Sequence, residues 1–325
     1  HNVGFFIKHQ YETPSPISFP PLLNLQSDID RIEAAEDRDV GEYAAQNWNE
    51  FSIYLGGESK FPNLHKQIPY PVDDSSILPF YDLQAFLSSS DNSYLNTINI
   101  IGNPFSYPYK AELMDLLYSI PVKKNFYLTA STACRFIKEI QQIDLPNYEL
   151  YIYYEQEEAS IHHILTEKQI PFHWIYLISS EKQYEDLEKL ETKYGNEYVE
   201  VHPIYTGDNL PFFEENVYLA EEDILQSNYD KQDIFAHQVM NTNFWGRLSV
   251  LPDGKVYSNL NHPPLGTLKD RVYDLIVDEM TSKRAWRWIR DEVSPCKDCL
   301  FRYLCPSPSN YELVIGKPNL CHVKP

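Results

Sequence analysis

The feature that most constrains the fold is an alternation of short β-type runs with helical patterns, which begins near residue 50. The strand-like runs, rich in Ile, Leu, Phe and Tyr, cover residues 51–55, 97–101, 125–129, 148–154, 172–178 and 198–204. The helical patterns cover residues 109–119, 131–142, 160–168 and 181–194. Strands separated by helices form right-handed βαβ units around a parallel sheet. The alternation therefore predicts an α/β fold, either an open doubly wound sheet or a partial (β/α)6 barrel.

The charge and the glycine pattern exclude several kinds of ligand. The 325 residues carry a formal net charge of −20, which is unsuited to nucleic acid or an anionic membrane surface. Neither a Gly-x-Gly-x-x-Gly turn nor a P-loop follows any run, so the usual phosphate cradles are missing. No apolar run reaches the roughly 18–20 residues of a membrane span, and no signal peptide is recognisable. We expect a cytoplasmic protein.

Four of the five cysteines form a ladder near the end of the chain, Cys296-x2-Cys299-x5-Cys305-x15-Cys321. Two thiolates separated by two residues can bind one metal, and two further cysteines complete a tetrahedral set. Two disulfides are the alternative, but the rest of this large chain holds a single cysteine and needs no such staples. The ladder therefore predicts a metal site. Zinc ribbons usually pair two Cys-x2-Cys hairpins, and only one is present, so the spacing favours an iron–sulfur cluster over zinc.

Three further segments have recognisable character. Residues 1–49 hold a Pro-rich stretch, an acidic segment and a helical pattern at 40–49, and we predict an N-terminal arm or module. Residues 57–79 form a long Pro-rich loop between the first two strands, and loops of this length are often functional. A hairpin at 247–257, turned by Pro252-Asp253-Gly254, precedes an amphipathic helix predicted at 273–291.

The order of these C-terminal features resembles a known family. The Pro-Asp-Gly hairpin, Leu265-Gly266-Thr267-Leu268, a Trp-bearing helix and the cysteine ladder together resemble the SPASM domain of radical S-adenosylmethionine peptide maturases. The resemblance covers roughly residues 237–325 and implies a partial (β/α)6 barrel in front. It divides the chain into an arm at 1–49, a barrel at 50–235 and a small cysteine-rich SPASM domain at 236–325, built from hairpin, helix and metal-binding loop.

The chain departs from that family at two positions that its radical chemistry requires. The family holds its catalytic cluster on a Cys-x3-Cys-x2-Cys loop after the first barrel strand, whereas no cysteine precedes Cys134 here. The family's Gly-Gly-Glu-Pro turn after the second strand contacts the cofactor, and this chain has Gly102-Asn103-Pro104 instead. The resemblance therefore implies a pseudo-radical-SAM protein that neither binds nor cleaves S-adenosylmethionine.

The resemblance also assigns the ladder to one of two auxiliary clusters. In the family, one auxiliary cluster lies nearer to the catalytic cluster and the other lies farther from it. Two cysteine positions of the nearer cluster correspond to Asn259 and Ser309 here, and no cysteine lies between Cys134 and Cys296. The ligand set of the farther cluster is complete, and it consists of Cys296, Cys299, Cys305 and Cys321. We expect one [4Fe–4S] cluster, with zinc as the alternative.

Other reactive side chains give weaker signals. Cys134 lies in a predicted helix and is expected to be an ordinary buried core residue. Asp208 and the pair Glu214-Glu215 follow the sixth strand, where (β/α) barrels place their chemistry, and a solvated loop is the simpler interpretation.

Two functions follow from the sequence. The first is a non-catalytic protein that binds a precursor peptide or a partner maturase in the modification of ribosomally made peptides. The second is an enzyme with a new activity in the degenerate barrel, its cluster structural or electron-carrying. A convergent acid, base and pocket at 57–79 and 205–216 would favour the enzyme, and a groove shaped for a peptide would favour the binding protein.

Overall fold

The structure is a computed structural model that describes residues 48–57, 59–89, 94–154, 159–194, 199–282 and 284–323. Residues 1–47, which include most of the predicted N-terminal arm and its helical pattern at 40–49, lie outside the described residues. Among the residues described, no helix has the length and apolar character needed to cross a bilayer.

Six parallel strands run side by side in chain order, and a C-terminal hairpin extends the sheet. The strands are β1 Glu50–Tyr54, β2 Thr97–Ile101, β3 Lys123–Thr129, β4 Tyr148–Tyr153, β5 Phe172–Ile178, β6 Val199–Pro203, β7 Arg247–Val250, β8 Lys255–Tyr257 and β9 Gly266–Thr267. Their order in the sheet is β9-β8-β7-β1-β2-β3-β4-β5-β6. A doubly wound sheet would reverse its strand order at a switch point, whereas β1 to β6 follow one direction. The sheet is therefore singly wound, consistent with a partial (β/α) barrel.

Helices cover one face of this sheet and bury its apolar residues. The helices are α1 Phe80–Ser88, α2 Lys110–Ser119, α3 Ala130–Arg135, α4 Ile137–Ile140, α5 Ala159–Glu167, α6 Glu181–Tyr194, α7 Leu210–Asn216, α8 Glu221–Leu225, α9 Lys231–Val239, α10 Val272–Ser282 and α11 Asn310–Ile315. Alternate strand residues, such as Phe51, Ile53, Ile98 and Ile100, join the helices in the largest core cluster. That alternation places the remaining strand residues on the inner face, away from the helices.

The inner face is filled by polar and aromatic side chains. Asn99 Nδ2 donates to Ser52 Oγ at 3.1 Å and to Glu50 Oε1 at 2.8 Å. Tyr127, Tyr151 and His173 stack on three adjacent strands, with ring centroids 4.9 and 5.0 Å apart. The carboxyl ends of β1–β6 meet at one edge of this face, which we call the mouth.

Two predicted helices end earlier than their apolar patterns indicate. The helix predicted at 131–142 is broken at Phe136, whose backbone leaves the helical region while its ring stacks on Phe105 at 5.6 Å. The helix predicted at 273–291 ends at Ser282. There the fully buried carboxylate of Glu279 accepts the N–H groups of Ala285 and Trp286, both at 2.7 Å, and the chain turns around it. Helix α1 lies where no helix was predicted.

The Pro-Asp-Gly hairpin forms as predicted. Gly254 has a φ of +80°, and its N–H bonds to Leu251 O at 2.9 Å. Strand β7 pairs in parallel with β1, so the hairpin continues the barrel sheet. The proposed division of the chain at 235/236 stays a prediction.

Candidate functional site

The four ladder cysteines come together around one small cavity. Cys296, Cys299, Cys305 and Cys321 line it together with residues that include Arg290 and Asn319. The segment 296–305 supplies three of them through two tight turns. Cys321 arrives from beyond α11 and is anchored by Leu219, which donates its N–H to Leu320 O at 3.0 Å and accepts the N–H of His322 at 2.9 Å.

Three N–H donors point at the cysteine sulfurs. Phe301 N lies 3.4 Å from Cys299 Sγ, Asn319 Nδ2 lies 3.2 Å from Cys321 Sγ, and Arg290 Nη1 lies 3.9 Å from Cys296 Sγ. Hydrogen bonds to sulfur stabilise a ligating thiolate and tune an iron–sulfur cluster. Their presence on three of the four sulfurs suits a metal-binding role.

The thiols influence one another electrostatically. Burial raises the pKa of Cys305 to about 12, opposed by the charge of Arg290 and reinforced by Cys321, Cys299 and Cys296. Burial likewise raises the pKa of Cys296. These thiols are protonated at neutral pH when no metal is bound, so metal binding must release protons.

The chemistry of these donors suits a metal group that four cysteine thiolates would hold. Four cysteine sulfurs around a cavity, three with N–H donors, match the ligand chemistry of a [4Fe–4S] cluster or of zinc. Within the described ranges, no group of three or more His, Cys, Asp or Glu side chains, these four cysteines included, has the arrangement of a metal-ion site. The assignment of a metal to these four residues stays a prediction.

A buried ion pair and apolar contacts hold the cysteine segment, residues 295–321, on the rest of the molecule. Arg290 Nη2 lies 2.7 Å from Glu312 Oε1, with both side chains buried, and Arg290 Nε donates to Pro306 O at 3.0 Å. Phe301 and Leu304 pack with Phe213, which belongs to α7. The segment therefore rests on the elements that follow the sixth barrel strand.

The loop after β1 folds back over the barrel mouth. We call residues 59–79 the mouth loop. Its Leu64, Ile68 and Tyr70 pack with Tyr153, Ile175 and Ile204 from β4, β5 and the end of β6. The Tyr70 and Tyr153 rings are 4.7 Å apart, and the Tyr153 hydroxyl donates to Pro69 O. The mouth is thus covered by the chain's own side chains.

A close backbone contact fixes the start of this cover. Gly56–Gly57 pairs in parallel with Val72–Asp73. A Cβ on Gly56 would lie 2.4 Å from Asp74 O and 2.7 Å from Ser76 O, so only glycine allows this approach.

Asn103, which stands where the resembled family has a glutamate, is engaged with its own turn. Its Oδ1 accepts the N–H groups of Phe105 at 3.0 Å and Ser106 at 3.3 Å, and its Nδ2 donates to Ser106 Oγ at 2.8 Å. It acts as a cap for the short 3-10 helix Pro104–Ser106.

An amide network occupies the region where the resemblance places a nearer cluster. Asn310 Oδ1 accepts from Asn259 Nδ2 at 2.8 Å and from Asn261 Nδ2 at 3.2 Å. Asn310 Nδ2 donates to Gln67 O at 3.2 Å, and Asn261 Nδ2 to Lys66 O at 2.8 Å. Sequence reasoning missed this network, although Asn259 was singled out. It ties the mouth loop to the hairpin and to α11.

A cleft of about 300 Å³ opens beside the mouth loop. Its lining comes from residues 59–74 and from Leu251 and Pro252. Burial, followed by the charge of Lys66, lowers the pKa of His65 in this lining to about 4. The candidates after the sixth strand, Asp208, Glu214 and Glu215, do not line this cleft. Asp208 accepts the Thr206 hydroxyl, and Glu214 pairs with Lys317 at 3.1 Å.

The expectation for Cys134 is wrong. The residue is exposed, in the last turn of α3. The buried positions of that short helix are Ala130 and Ala133, and Cys134 follows on the outward side.

Comparisons with known proteins identify the fold and not a family. The sequence matches no protein-family model and no curated protein. The structure is similar to the crystal structure of Streptococcus suis SuiB bound to precursor peptide SuiA, with a TM-score of 0.50, 12% identity, and coverage of 94% of this chain and 81% of that one. It is also similar to native anSMEcpe with bound AdoMet and Cp18Cys peptide, with a TM-score of 0.47, 13% identity, and coverage of 79% and 88%. At such low identity, the likeness to SuiB shows a shared fold.

Proposed function

We propose that this chain is a non-catalytic protein of the pseudo-radical-SAM, SPASM type that binds a precursor peptide in ribosomal peptide modification. The peptide's modifying maturase is the second partner we expect. The observation that carries the proposal is the mouth loop, which stands in the place of the family's cluster-binding loop and packs apolar side chains into the mouth.

The contacts of this loop support a loss of radical chemistry. A catalytic cluster needs three thiolates after the first strand, and residues 55–79 contain no cysteine. Asn103 has no carboxylate to offer a cofactor, and its amide group is hydrogen-bonded within its own turn. Two separate parts of the family's active site are thus replaced by groups with structural roles.

The alternative, a new enzymatic activity, has less support from the geometry. It requires acid and base groups from 57–79 and 205–216 to converge on one pocket. The cleft is lined by the mouth loop and the hairpin turn, while Asp208 and Glu214 bond to neighbours of their own. SuiB, which shares this fold, was crystallised with a precursor peptide, and this favours peptide binding over a new reaction.

In this proposal, Cys296, Cys299, Cys305 and Cys321 hold one [4Fe–4S] cluster whose role is structural. A cluster with four protein thiolates has no open iron for substrate. Anaerobically purified protein should contain about four irons and a similar amount of acid-labile sulfide per chain. One zinc without sulfide would overturn the iron–sulfur assignment and keep a metal site.

Two experiments test the function itself. With dithionite as reductant, S-adenosylmethionine should yield no 5′-deoxyadenosine above a protein-free control, and a clear yield would overturn the non-catalytic assignment. Selection of phage-displayed random 12-residue peptides on the anaerobic protein should enrich related sequences whose synthetic forms bind in solution. If no group of related peptide sequences is enriched above a bead control, the proposal of peptide binding is wrong.

A further inference from the structure

The cleft beside the mouth loop has the size and lining of a pocket for one long side chain. Its volume of about 300 Å³ is at the lower end of ligand pockets. Val72, Leu251 and Pro252 supply apolar wall, and Asp73 and Asp74 supply carboxylates. Apolar walls with a charged end suit a side chain that has a methylene stem and a charged head.

The charge inside the cleft is negative. Among the described lining residues, Asp73 and Asp74 are the acidic side chains. The pKa of His65 is about 4, so its ring adds no positive charge at neutral pH. Asp74 Oδ1 accepts the N–H of Ser76 at 2.7 Å, which fixes that carboxylate. A nearby cation on the hairpin, Lys255, pairs with Asp253 at 2.6 Å, and its charge also reaches Asp74. Asp73 is not among the groups with which Lys255 interacts.

An exposed apolar surface with one exposed aromatic ring adjoins the cleft. Ile77 and Tyr81 are 59% and 65% exposed, and the Tyr81 ring lies 5.7 Å from that of Tyr109. Pro79, between them, sits against Gly254, two residues from Pro252 in the cleft wall. Tyrosine is enriched at protein interfaces and among the residues that contribute most to binding, so this surface suits the residues that flank a bound side chain.

We infer that this cleft binds an arginine or lysine side chain of the peptide, whose neighbouring residues lie on the Ile77–Tyr81 surface. The inference rests on the proposed function. It specifies the kind of peptide that is bound, namely a segment in which a basic residue is flanked by apolar residues. The net charge of −20 makes such a segment electrostatically favoured on approach.

The test uses defined probes. Fluorescein-labelled Gly-Ser-Tyr-X-Tyr-Ser-Gly peptides, with X as arginine or its neutral isostere citrulline, are titrated with the protein in 150 mM salt and followed by anisotropy. The arginine peptide should bind about tenfold more tightly, because a charge-assisted hydrogen bond to carboxylate is lost in citrulline. The double variant Asp73→Asn, Asp74→Asn should bring the ratio close to one and leave citrulline binding unchanged.

A matched control separates the cleft from the overall charge. Asp115→Asn with Asp144→Asn removes two exposed carboxylates from the helix side of the sheet and should keep the ratio. An asparagine at 74 can still accept the Ser76 N–H, and melting curves check that both variants fold. Equal binding of the two probes, no binding of either, or an equal loss of preference in the control would overturn the inference. The display selection tests peptide binding independently, so an enriched peptide family without basic residues would keep the function and reject this pocket.

Discussion

The mouth loop and the cysteine segment are alike in sequence and differ in what holds them. Each contains four prolines and little regular structure. The mouth loop packs against the C-terminal ends of the barrel strands, and the cysteine segment packs against the helix that follows the sixth strand. The mouth loop buries Leu64, Ile68 and Tyr70 and needs no metal to explain its position. The cysteine segment arranges four thiols around a cavity and leaves Leu300 91% exposed. Apolar burial alone accounts for the position of the mouth loop, whereas the cysteine segment has a buried ion pair, fewer fully buried apolar side chains and the four thiols for which we propose a cluster.

If a metal holds the cysteine segment, the loss of one cysteine should have the largest effect on stability of the changes considered. Cys299→Ser should abolish metal binding, and metal binding contributes about 10 kcal/mol or more to folding at structural sites. Limited proteolysis with mass mapping should then cut near Phe301 and Tyr303, while the mouth loop keeps its protection.

The exposed Cys134 offers the matched control. Cys134→Ser changes a thiol to a hydroxyl outside the core and should shift the free energy of unfolding by no more than about 0.5 kcal/mol. If Cys299→Ser loses its metal and still protects residues 295–321 from protease, the structural role of the metal is wrong and a redox role becomes the better assignment.

The mouth loop should respond to the loss of a ring. Tyr70 is 1% exposed against Tyr153, so Tyr70→Ala should lower the free energy of unfolding by about 3–4 kcal/mol. Urea denaturation measures this, with Tyr81→Ala as control, since that ring is 65% exposed and its loss should cost much less. Equal costs for the two variants would mean that the mouth loop is not held by burial.

The amide network should contribute less to stability than the Tyr70 ring does, and its contribution should be mainly to the order of the mouth loop. Asn310→Ala removes the acceptor of Asn259 and Asn261 and the donor to Gln67 O, at a cost of about 1–3 kcal/mol. Hydrogen exchange should accelerate in residues 64–70 and stay unchanged in β2 and β3. The exposed Asn228→Ala serves as control. Faster exchange throughout the sheet would assign the network to global stability and not to the loop.

The features that could be predicted from the sequence are those that depend on a periodic pattern or on residues close together in the chain. The strands lie within about two residues of their predicted bounds, the hairpin turns at Gly254, and the ladder spacing brings four cysteines to one cavity. The packing of the mouth loop was not predictable, because Leu64, Ile68 and Tyr70 follow no strand or helix period. The end of α10 was missed because the apolar pattern continues past Ser282, and only the fold reveals that the Glu279 carboxylate turns the chain. Asparagines in loops carry no spacing signal, so the amide network was invisible as well.

The mouth loop should also respond to pH, through His65. Burial and the charge of Lys66 lower the pKa of His65 to about 4, against 6.5 in an unfolded chain, and the ring lies 6.5 Å from that of Tyr54. The neutral ring is the form that the folded loop accommodates. Its contribution to stability is therefore fully present above pH 6.5 and is lost as the pH falls from 6.5 through 4. The His65 ring signal in NMR should titrate near pH 4, and exchange in the loop should accelerate over that window in the wild type but not in His65→Asn. A midpoint near 6.5 would place His65 in solvent and leave the mouth loop more open than its packing indicates.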